Sequence, residues 1–324
     1  MKLATVHVDG QDRVCVEIDD DSLLDISETV AGSMRKLLDM GDSGFEAAGR
    51  ALASSNGTRL KKAAVHWRPP VTNPGKICGV AMNNSASNPR KIKAPDHPAF
   101  FLKPASCLVG HQEPIEIRRY YGSVHPEPEL AVIIGKPMRD VDAADALDNV
   151  AGYTILNDIT GNGMRAEDMF HYWALYASKD DPAQTERREQ HLSYAGRYKG
   201  CDGFGAMGPW LVTRDEIDDP NDLAVRCEVG GDTVAEDSTR YYNYRVEEVL
   251  SFISQFHTLS PGDVVSCGTA FKPSANRRSI HTANFQVVDG PVIVEIEGLG
   301  RQENPIRLND APMGNWRLSS SEQE

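Results

Sequence analysis

The sequence predicts a β-rich α+β fold, and three observations indicate it. Short apolar or alternating stretches, typical of strands, recur along most of the chain. Helical spacing of apolar residues is confined to a few segments. Strand-like stretches also follow one another without a helix between each pair, which is unlike the βαβ alternation of a parallel sheet. We therefore expect a sheet-dominated protein with few helices.

The composition is that of a globular protein. The chain has 324 residues, of which 40% are hydrophobic and 25% charged, so it can bury a large core. The formal net charge of −13 argues against nucleic-acid or anionic-membrane partners, which favour a basic surface. The start of the chain has no apolar signal-peptide core, and the six cysteines are scattered without a CxxC pair. We expect a cytoplasmic protein with reduced thiols.

The first 72 residues predict a small β-plus-helix domain. Residues 3–8 and 13–18 alternate like strands and are joined across Asp9-Gly10, a hairpin signal. A helix follows, with Ser27 as its predicted N-terminal cap, and residues 45–54 predict a second helix.

The remaining chain divides at a segment rich in proline and glycine, residues 67–75. We expect a main domain over residues 73–308 and a loose tail over 309–324. The main domain has one clear helix, at 246–256, and an exposed polar insertion at 179–191. Its hairpin turns are expected at Gly230-Gly231 and Asp289-Gly290. Its predicted strands are 76–80, 99–102, 115–117, 130–134, 153–157, 210–213, 223–229, 264–267, 285–288 and 292–296.

The stretch VHPEPELAVIIG, residues 124–135, is the most informative. Residues 130–134 predict a buried strand, and Glu127 and Glu129 enter it from one end. Side chains at i and i+2 of a strand point to the same face, so both carboxylates aim at one place. Adjacent negative charges at the mouth of a core are relieved by a cation or a shared proton. A solvated strand end with two exposed glutamates is the alternative.

Further motifs follow in a characteristic order. After the ExE strand come Asn157-Asp158 at a strand end, Lys199 ahead of Gly208-Pro209-Trp210, and Gly262-Asp263 ahead of Gly268-Thr269. This series resembles the fumarylacetoacetate hydrolase superfamily over residues 74–307. The segments Phe101-Leu-Lys103-Pro104 and Gly110-His-Gln-Glu113 also resemble segments of that family.

The resemblance implies a mixed β-roll, usually a homodimer, with a divalent ion at the open end of the roll. It assigns Glu127, Glu129 and Asp158 as ligands of Mg²⁺, Mn²⁺ or Ca²⁺, and three carboxylates do suit a hard cation. It also implies a small 2-oxo or β-diketo acid as substrate, handled through a metal-stabilised enolate.

The resemblance assigns roles to three further residues. Lys199 matches the family's active-site lysine, with an exposed loop cation as the alternative. Thr269 matches the threonine of the glycine-threonine pair that faces the substrate carboxylate, with Gly268 as its glycine. A turn residue at a strand end is the alternative for Thr269.

Two departures from the family pattern limit the functional conclusion. Hydrolytic members carry a lid histidine that activates water, whereas this chain has Asn83 and Asn84, which can position water without taking its proton. We also expect Asn84 to contact the substrate. His97 is the nearest substitute, and a loop residue is the alternative for it. Asn162 stands where the family usually has an arginine. Arg165, three residues on, could grip a second substrate carboxylate.

Branches of the superfamily that resemble 2-keto-3-deoxy-sugar-acid dehydratases also lack the lid histidine. In such a branch Glu113 could be the general acid or base, with a solvated loop glutamate as the alternative. We expect hydrolytic C–C cleavage. A hydratase, dehydratase, decarboxylase or isomerase is the second interpretation, and an inactive acid-binding relative is the third.

Overall fold

The computed structural model describes residues 1–272 and 280–314, and β-strands dominate this part of the chain. The β-rich α+β class is therefore confirmed. The helices are α1 (Met34–Asp39), α2 (Asp42–Ser54), α3 (Ala143–Ala146), α4 (Asn162–Glu167) and α5 (Val246–Ser254). The strands are β1 (Lys2–Val8), β2 (Gln11–Asp19), β3 (Ser22–Asp25), β4 (Thr58–Lys61), β5 (His66–Arg68), β6 (Ile77–Ala81), β7 (Ala99–Lys103), β8 (Leu108–Val109), β9 (Ile115–Arg118), β10 (Pro128–Ile134), β11 (Val150–Asp158), β12 (Met169–Ala177), β13 (Thr185–Ser193), β14 (Gly205–Met207), β15 (Leu211–Thr213), β16 (Ala224–Val229), β17 (Asp232–Ser238), β18 (Val264–Thr269), β19 (Val292–Ile296), β20 (Gly300–Asn304) and β21 (Ile306–Asn309).

One mixed sheet of 13 strands organises the molecule. Its main path runs β4-β3-β2-β1-β15-β11-β10-β18-β6-β7, with β5, β8 and β14 attached beside it. The neighbours on this path are antiparallel except β18 and β6, which are parallel. All seven residues of β10 are buried because β11 and β18 flank it and both sheet faces are covered. The predicted buried strand is confirmed.

The N-terminal hairpin is also confirmed. Asp9 and Gly10 both have positive φ, 50° and 77°, the backbone that a tight hairpin turn between twisted strands requires. The predicted cap at Ser27 is wrong. Ser33 caps α1 by accepting a hydrogen bond from the amide of Lys36, whereas the Ser27 hydroxyl accepts one from Val14. The side chain of Ser27 is therefore used to hold the hairpin.

The division into domains stays a prediction. Strand β1 of the N-terminal part pairs with β15, so one sheet runs through both predicted domains. Strand β21 ends at Asn309, and residues 315–324 of the predicted tail lie outside the described part. Helix α5 ends at Ser254, two residues before its predicted end, and packs on α3 and β18.

The predicted strand at 285–288 and the predicted hairpin turn at Asp289-Gly290 are wrong. Residues 285–288 are not a strand: the side-chain oxygen of Asn284 accepts the amide of Gln286 and holds a turn, so Asp289-Gly290 closes no hairpin. The segment 179–191 is exposed as predicted, but much of it is strand, because β13 pairs along its whole length with β12. The turn at Gly230-Gly231 does join β16 and β17. All six cysteines are free thiols.

Candidate metal centre

Three carboxylates meet where β10, β11 and β18 end side by side. Glu127 immediately precedes β10, Glu129 is its second residue, and Asp158 is the last residue of β11. One oxygen of each carboxylate lies within 4.8 Å of the others. The chain thus brings together the three side chains that the sequence predicts as metal ligands. Thr269, at the end of β18, is the direct cross-strand neighbour of Glu129.

Glu129 is deeply buried, with 1% of its surface exposed. One carboxylate oxygen accepts hydrogen bonds from the Ser266 hydroxyl at 2.5 Å and the Gly268 amide at 3.1 Å. The other accepts from the Thr269 hydroxyl at 3.0 Å. Burial, together with the negative charge of Asp158, raises the pKa of Glu129 to about 8. Glu129 therefore favours its protonated form at neutral pH unless a cation is bound beside it.

Glu127 stands at the mouth and has a different set of partners. Its Oε1 accepts the Thr160 hydroxyl at 2.7 Å and faces His125 Nε2 at 3.3 Å. Its Oε2 lies 2.7 Å from Lys199 Nζ and 3.0 Å from the Thr269 hydroxyl. Burial alone would favour the protonated acid, but the positive charge of Lys199 and the hydrogen bond from His125 hold the pKa of Glu127 well below its usual range.

Two lysines, Lys199 and Lys103, form ion pairs with the carboxylates of the cluster. Lys199 Nζ lies 2.5 Å from Asp158 Oδ2 and 3.1 Å from the Asp158 carbonyl, besides its contact with Glu127. These three acceptors use all three ammonium hydrogens. Although burial lowers it, the pKa of Lys199 is raised by the neighbouring carboxylates. Lys103 Nζ is 2.7 Å from Asp158 Oδ1 and also contacts the carbonyls of Lys199 and Phe204.

The donor set fits a hard divalent cation. With every group ionised, three carboxylates and two lysines leave a net formal charge of −1 on the cluster, and no soft ligand is present among its donors. Oxygen-only sites of this kind suit Mg²⁺, Mn²⁺ or Ca²⁺. Within residues 1–272 and 280–314, no other group of histidine, cysteine and acidic side chains is arranged to hold an ion.

A cavity of about 480 Å³ opens above Glu127. Of its described lining residues, Glu127 is the only carboxylate, and the others supply cationic, imidazole, amide and apolar groups. They are Met82, Asn83, Asn84, Arg90, His125, Glu127, Asn162, Arg165, Thr269, Phe271 and His281. An anionic ligand that approached the cluster would therefore meet guanidinium and imidazole groups along the walls.

The predicted substrate-binding residues reach this cavity to different extents. Arg165 and Thr269 line it directly, and the Arg165 guanidinium lies 5.8 Å from the Tyr198 ring centre. Asn84 also lines it, but its oxygen accepts the Ala86 amide and its nitrogen donates to a carboxylate on β17. Gly268 lies behind the wall, where its amide donates to Glu129.

Two predicted catalytic residues lie outside the cavity wall. One Glu113 oxygen contacts Arg68 Nη1 at 2.6 Å, and the other accepts the Gly110 amide at 2.5 Å, so this carboxylate holds a loop together. His97 stacks on Phe252 with ring centres 5.0 Å apart and lines a neighbouring cavity. The structure does not bring either side chain to the three carboxylates.

Sequence reasoning missed several residues of the site, above all His125, Asn162 and His281. The Asn162 amide nitrogen lies 3.2 Å from His125 Nδ1, which places the other ring nitrogen, as N–H, toward Glu127. The spacing of His125 and Glu127 by two residues was the available signal, because alternate residues of an extended chain share a face. His281 reaches the site from a distant loop, and its ring packs edge-on to that of His125.

The fold and the cluster define a β-rich protein with a three-carboxylate centre at the mouth of its sheet. The family model described as Fumarylacetoacetate (FAA) hydrolase C-terminal matches residues 76–307. The chain belongs to the fumarylacetoacetate hydrolase family, as its motifs predicted. Its mixed-β-roll fold is confirmed by similar solved structures.

Among curated proteins, a mitochondrial oxaloacetate tautomerase of Xenopus laevis is 32% identical over 274 residues, which cover 84% of this chain and 78% of that protein. Among solved structures, maleylpyruvate hydrolase from Sphingobium sp. SYK-6, in complex with manganese(II) and pyruvate, has a TM-score of 0.71 and 26% identity. A 5-carboxymethyl-2-hydroxymuconate delta-isomerase from Mycobacterium smegmatis has a TM-score of 0.68 and 25% identity. Both alignments cover 96% of this chain and 100% of the other.

These similarities support an enzyme of the acylpyruvate-handling kind, whether hydrolase, isomerase or tautomerase. In the described part of the chain, no helix has both the length and the apolar character needed to span a membrane. The cytoplasmic location stays a prediction, since the similar tautomerase from Xenopus laevis is mitochondrial.

Proposed function

We propose that this protein is a divalent-metal-dependent enzyme that interconverts the keto and enol forms of a small 2-oxo dicarboxylic acid. One observation carries the choice of reaction. Both lid asparagines are held by the protein: Asn83 bonds to Tyr244 and to the Cys267 carbonyl, and Asn84 bonds to Ala86 and Asp237. The amide groups of both side chains are therefore engaged with the protein itself, which disfavours their use in positioning a water for attack on a carbonyl. Keto–enol conversion needs no such water, only a proton moved between carbon and oxygen.

The cofactor assignment rests on the donor set. Glu127, Glu129 and Asp158 would hold Mg²⁺, Mn²⁺ or Ca²⁺, which when bound supplies a Lewis acid that stabilises negative charge on substrate oxygens. Lys199 and Lys103 hold Glu127 and Asp158 in place through ion pairs. The manganese(II) ion and pyruvate in the similar maleylpyruvate hydrolase structure support this assignment.

Substrate recognition is assigned to the cationic walls of the cavity. The Arg165 guanidinium offers a planar fork that matches a carboxylate in a bidentate fashion. Arg90 also lines the cavity, 5.0 Å from the Phe271 ring centre and with Nη1 3.1 Å from His281 Nε2. A dicarboxylate could therefore place one end at the cluster and the other against a guanidinium.

Proton transfer is assigned to His281. Burial lowers the pKa of this histidine, so the neutral ring that can accept a proton is favoured at neutral pH. Its Nε2 is engaged by Arg90 in the structure. A substrate carboxylate that drew Arg90 away would uncover that nitrogen for the proton.

Hydrolytic C–C cleavage is the second candidate, and the similarity to maleylpyruvate hydrolase favours it. Water addition, water loss and decarboxylation would use the same centre. In each of these reactions the carbon skeleton or its water content changes, whereas tautomerisation leaves the formula unchanged. The reactions are therefore distinguished by product mass.

The test combines two assays on the protein loaded with Mn²⁺. Exchange of the C3 protons of oxaloacetate with D₂O, followed by NMR, reports keto–enol conversion, and mass spectrometry of acylpyruvates reports fragments. We expect catalysed exchange without fragment pairs, lost by more than ~10²-fold in Glu129→Ala but kept in the exposed control Glu28→Ala. Paired acid fragments would establish the hydrolase, and bound metal without turnover of any substrate would favour the inactive relative.

Arg165 offers a test of the substrate class. Exchanging Arg165 for Gln removes the bidentate cation, so we expect the KM for a dicarboxylic substrate to rise ~10-fold or more, with little change for a monoacid. The exposed Arg139, which forms an ion pair with its neighbour Asp140, provides the matched control Arg139→Gln. Equal effects of Arg165→Gln on both substrates would refute the assignment.

A further inference from the structure

The hairpin formed by β12 and β13 is unusually apolar for an exposed element. The described residues include 16 large hydrophobic side chains that are exposed, and half of them lie on this hairpin or directly after it. They are Met169, Phe170, Tyr172, Trp173, Leu175, Tyr176, Leu192 and Tyr194. Contiguous exposed apolar surface of this kind marks an interaction site.

Exposed apolar side chains lie on both faces of the hairpin. Alternate residues of a strand point to opposite faces, so Trp173 and Leu175, 59% and 65% exposed, lie on one face. Phe170 and Tyr172 lie on the other face, where Phe170 packs edge-on against Tyr194. The main body therefore leaves apolar side chains uncovered on both sides.

The backbone of the hairpin is equally unpartnered. In the part of the chain that the structure describes, β12 and β13 pair with each other and with no other strand. Each thus presents an outer edge of unused amide and carbonyl groups. A two-stranded hairpin is marginal by itself in water, so a covering surface would stabilise it.

We propose that residues 169–193 form a dimerisation arm that docks on a second copy of this chain. At the ~150–250 Å² that a large side chain can bury, the exposed fractions of these eight residues amount to roughly 600–1,000 Å². This matches the ~800 Å² that each partner contributes to a stable interface. The family homodimer expected from the sequence would then have a defined contact surface.

The near-neutral charge of the arm is consistent with a second copy of this chain as its partner. Lys179, Arg187 and Arg188 are offset by four acidic residues between 180 and 189, so the arm is nearly neutral. A neutral apolar surface on a chain of net charge −13 does not favour nucleic acid or anionic lipid. An isologous contact, in which the same patch serves both copies, needs no charged partner.

The arm is also joined to the candidate active site at both ends. Arg165 lies on α4 just before β12, and Lys199 follows β13 by six residues. Arg197 ties these ends together through Asp168 at 2.8 Å and Glu167 at 2.9 Å. Docking of the arm would hold one wall of the cavity in place.

Light scattering after size-exclusion chromatography tests the proposal on the full chain. We expect the wild type to have twice the 35.6 kDa mass of one chain, and Trp173→Glu with Leu175→Glu to have the mass of one chain. Val287→Glu, at a residue 80% exposed elsewhere, is the control and should stay dimeric. A monomeric wild type, or a folded double variant that stays dimeric, would overturn the proposal.

Hydrogen exchange of the wild type provides a second measurement that needs no variant. Amides of β12 and β13 should be protected at high protein concentration and lose protection on dilution into the monomer range. Protection that does not change when the mass halves would place the interface elsewhere. If the wild type is monomeric but binds vesicles through the hairpin, the second copy is replaced by a lipid surface and the proposal fails.

Discussion

The cluster of Glu127, Glu129 and Asp158, called the floor below, and the β12–β13 hairpin differ in which side chains they bury. At the floor, Glu129 is buried with 1% exposure although it is a carboxylate. On the hairpin, Leu175 is 65% exposed although it is apolar. The floor can bury charge because each carboxylate receives hydrogen bonds or a lysine, whereas the hairpin has only its own two strands. Burial follows the partners available, not hydropathy alone.

The position of each region in the sheet explains the difference. The floor lies at the ends of β10, β11 and β18, which are adjacent strands inside the 13-stranded sheet. Neighbouring strands on both sides supply hydroxyl, amide and ammonium groups at fixed places. The hairpin lies off that sheet and meets no such neighbours in the described chain. The following predictions weaken one region at a time, from the largest expected effect to the smallest.

Removing Lys199 should have the largest effect on the floor. Lys199→Met leaves buried carboxylates without their cation, so we expect the metal-free protein to lose ~3–5 kcal/mol of unfolding free energy. Urea unfolding in EDTA measures this. The exposed pair of Lys136 and Asp42 provides the control, and Lys136→Met should cost less than ~1 kcal/mol. Equal losses in the two variants would contradict the proposed role of Lys199.

His111 tests how a buried side chain that is held neutral, unlike the charged floor, makes the unfolding free energy depend on pH. Its Nδ1 accepts the Glu303 amide at 3.0 Å, and burial lowers the pKa of His111 to about 4. The unfolded chain, with a histidine pKa near ~6.5, binds the proton first, so stability is lost as pH falls from ~7 toward ~4. At ~1.4 kcal/mol per pKa unit, this amounts to ~3 kcal/mol.

The measurement is the difference in unfolding free energy between pH 7 and pH 4.5, determined by urea for both proteins. His111→Gln keeps an acceptor for the Glu303 amide but cannot titrate, so its loss on acidification should be smaller than that of the wild type. An unchanged loss would assign the acid sensitivity to other groups.

Two buried threonines, Thr154 within β11 and Thr160 just after it, allow a hydroxyl with a hydrogen-bond acceptor to be compared with one that has none in the described chain. The Thr160 hydroxyl donates to Glu127, so Thr160→Val should cost ~1–2 kcal/mol and weaken Mn²⁺ binding. The Thr154 hydroxyl is buried without a hydrogen-bond partner among the described residues, so Thr154→Val should be neutral or stabilising. Thermal unfolding and Mn²⁺ titration measure both. The reverse order would refute the assigned hydrogen bond.

Shortening the hairpin should affect the floor least. Replacing residues 173–189 with Asn-Gly joins Tyr172 and Gln190, which are cross-strand neighbours, through a favoured two-residue turn. None of the three carboxylates or the two lysines is touched, so the Mn²⁺ affinity per subunit should stay within ~2-fold, since sites without shared partners act independently. Isothermal titration checks this, and a large loss of affinity would show that the hairpin supports the floor.

Much of the fold could be predicted because its signals are local. The strand at 130–134, the turn at Asp9-Gly10 and the helix beginning at Val246 are each encoded by neighbouring residues, and all appear in the structure. The strand expected at 285–288 was wrong because one side chain, Asn284, holds that segment in a turn. The partner of Glu113 could not be predicted either, because Arg68 comes from a strand 45 residues away.

By itself, the sequence determined that the protein is rich in strands, that it belongs to its family, and that Glu127 and Glu129 share a face. These conclusions follow from the alternation of residue types along a strand and from the order of the motifs, and both can be read from the sequence without knowing the fold. Only the tertiary structure decided that Lys103 joins Lys199 at Asp158, that His281 joins the cavity wall, and that His97 and Glu113 do not. The physical reason is that such meetings depend on which strand ends lie side by side, and sheet order is set by burial and pairing across the whole chain.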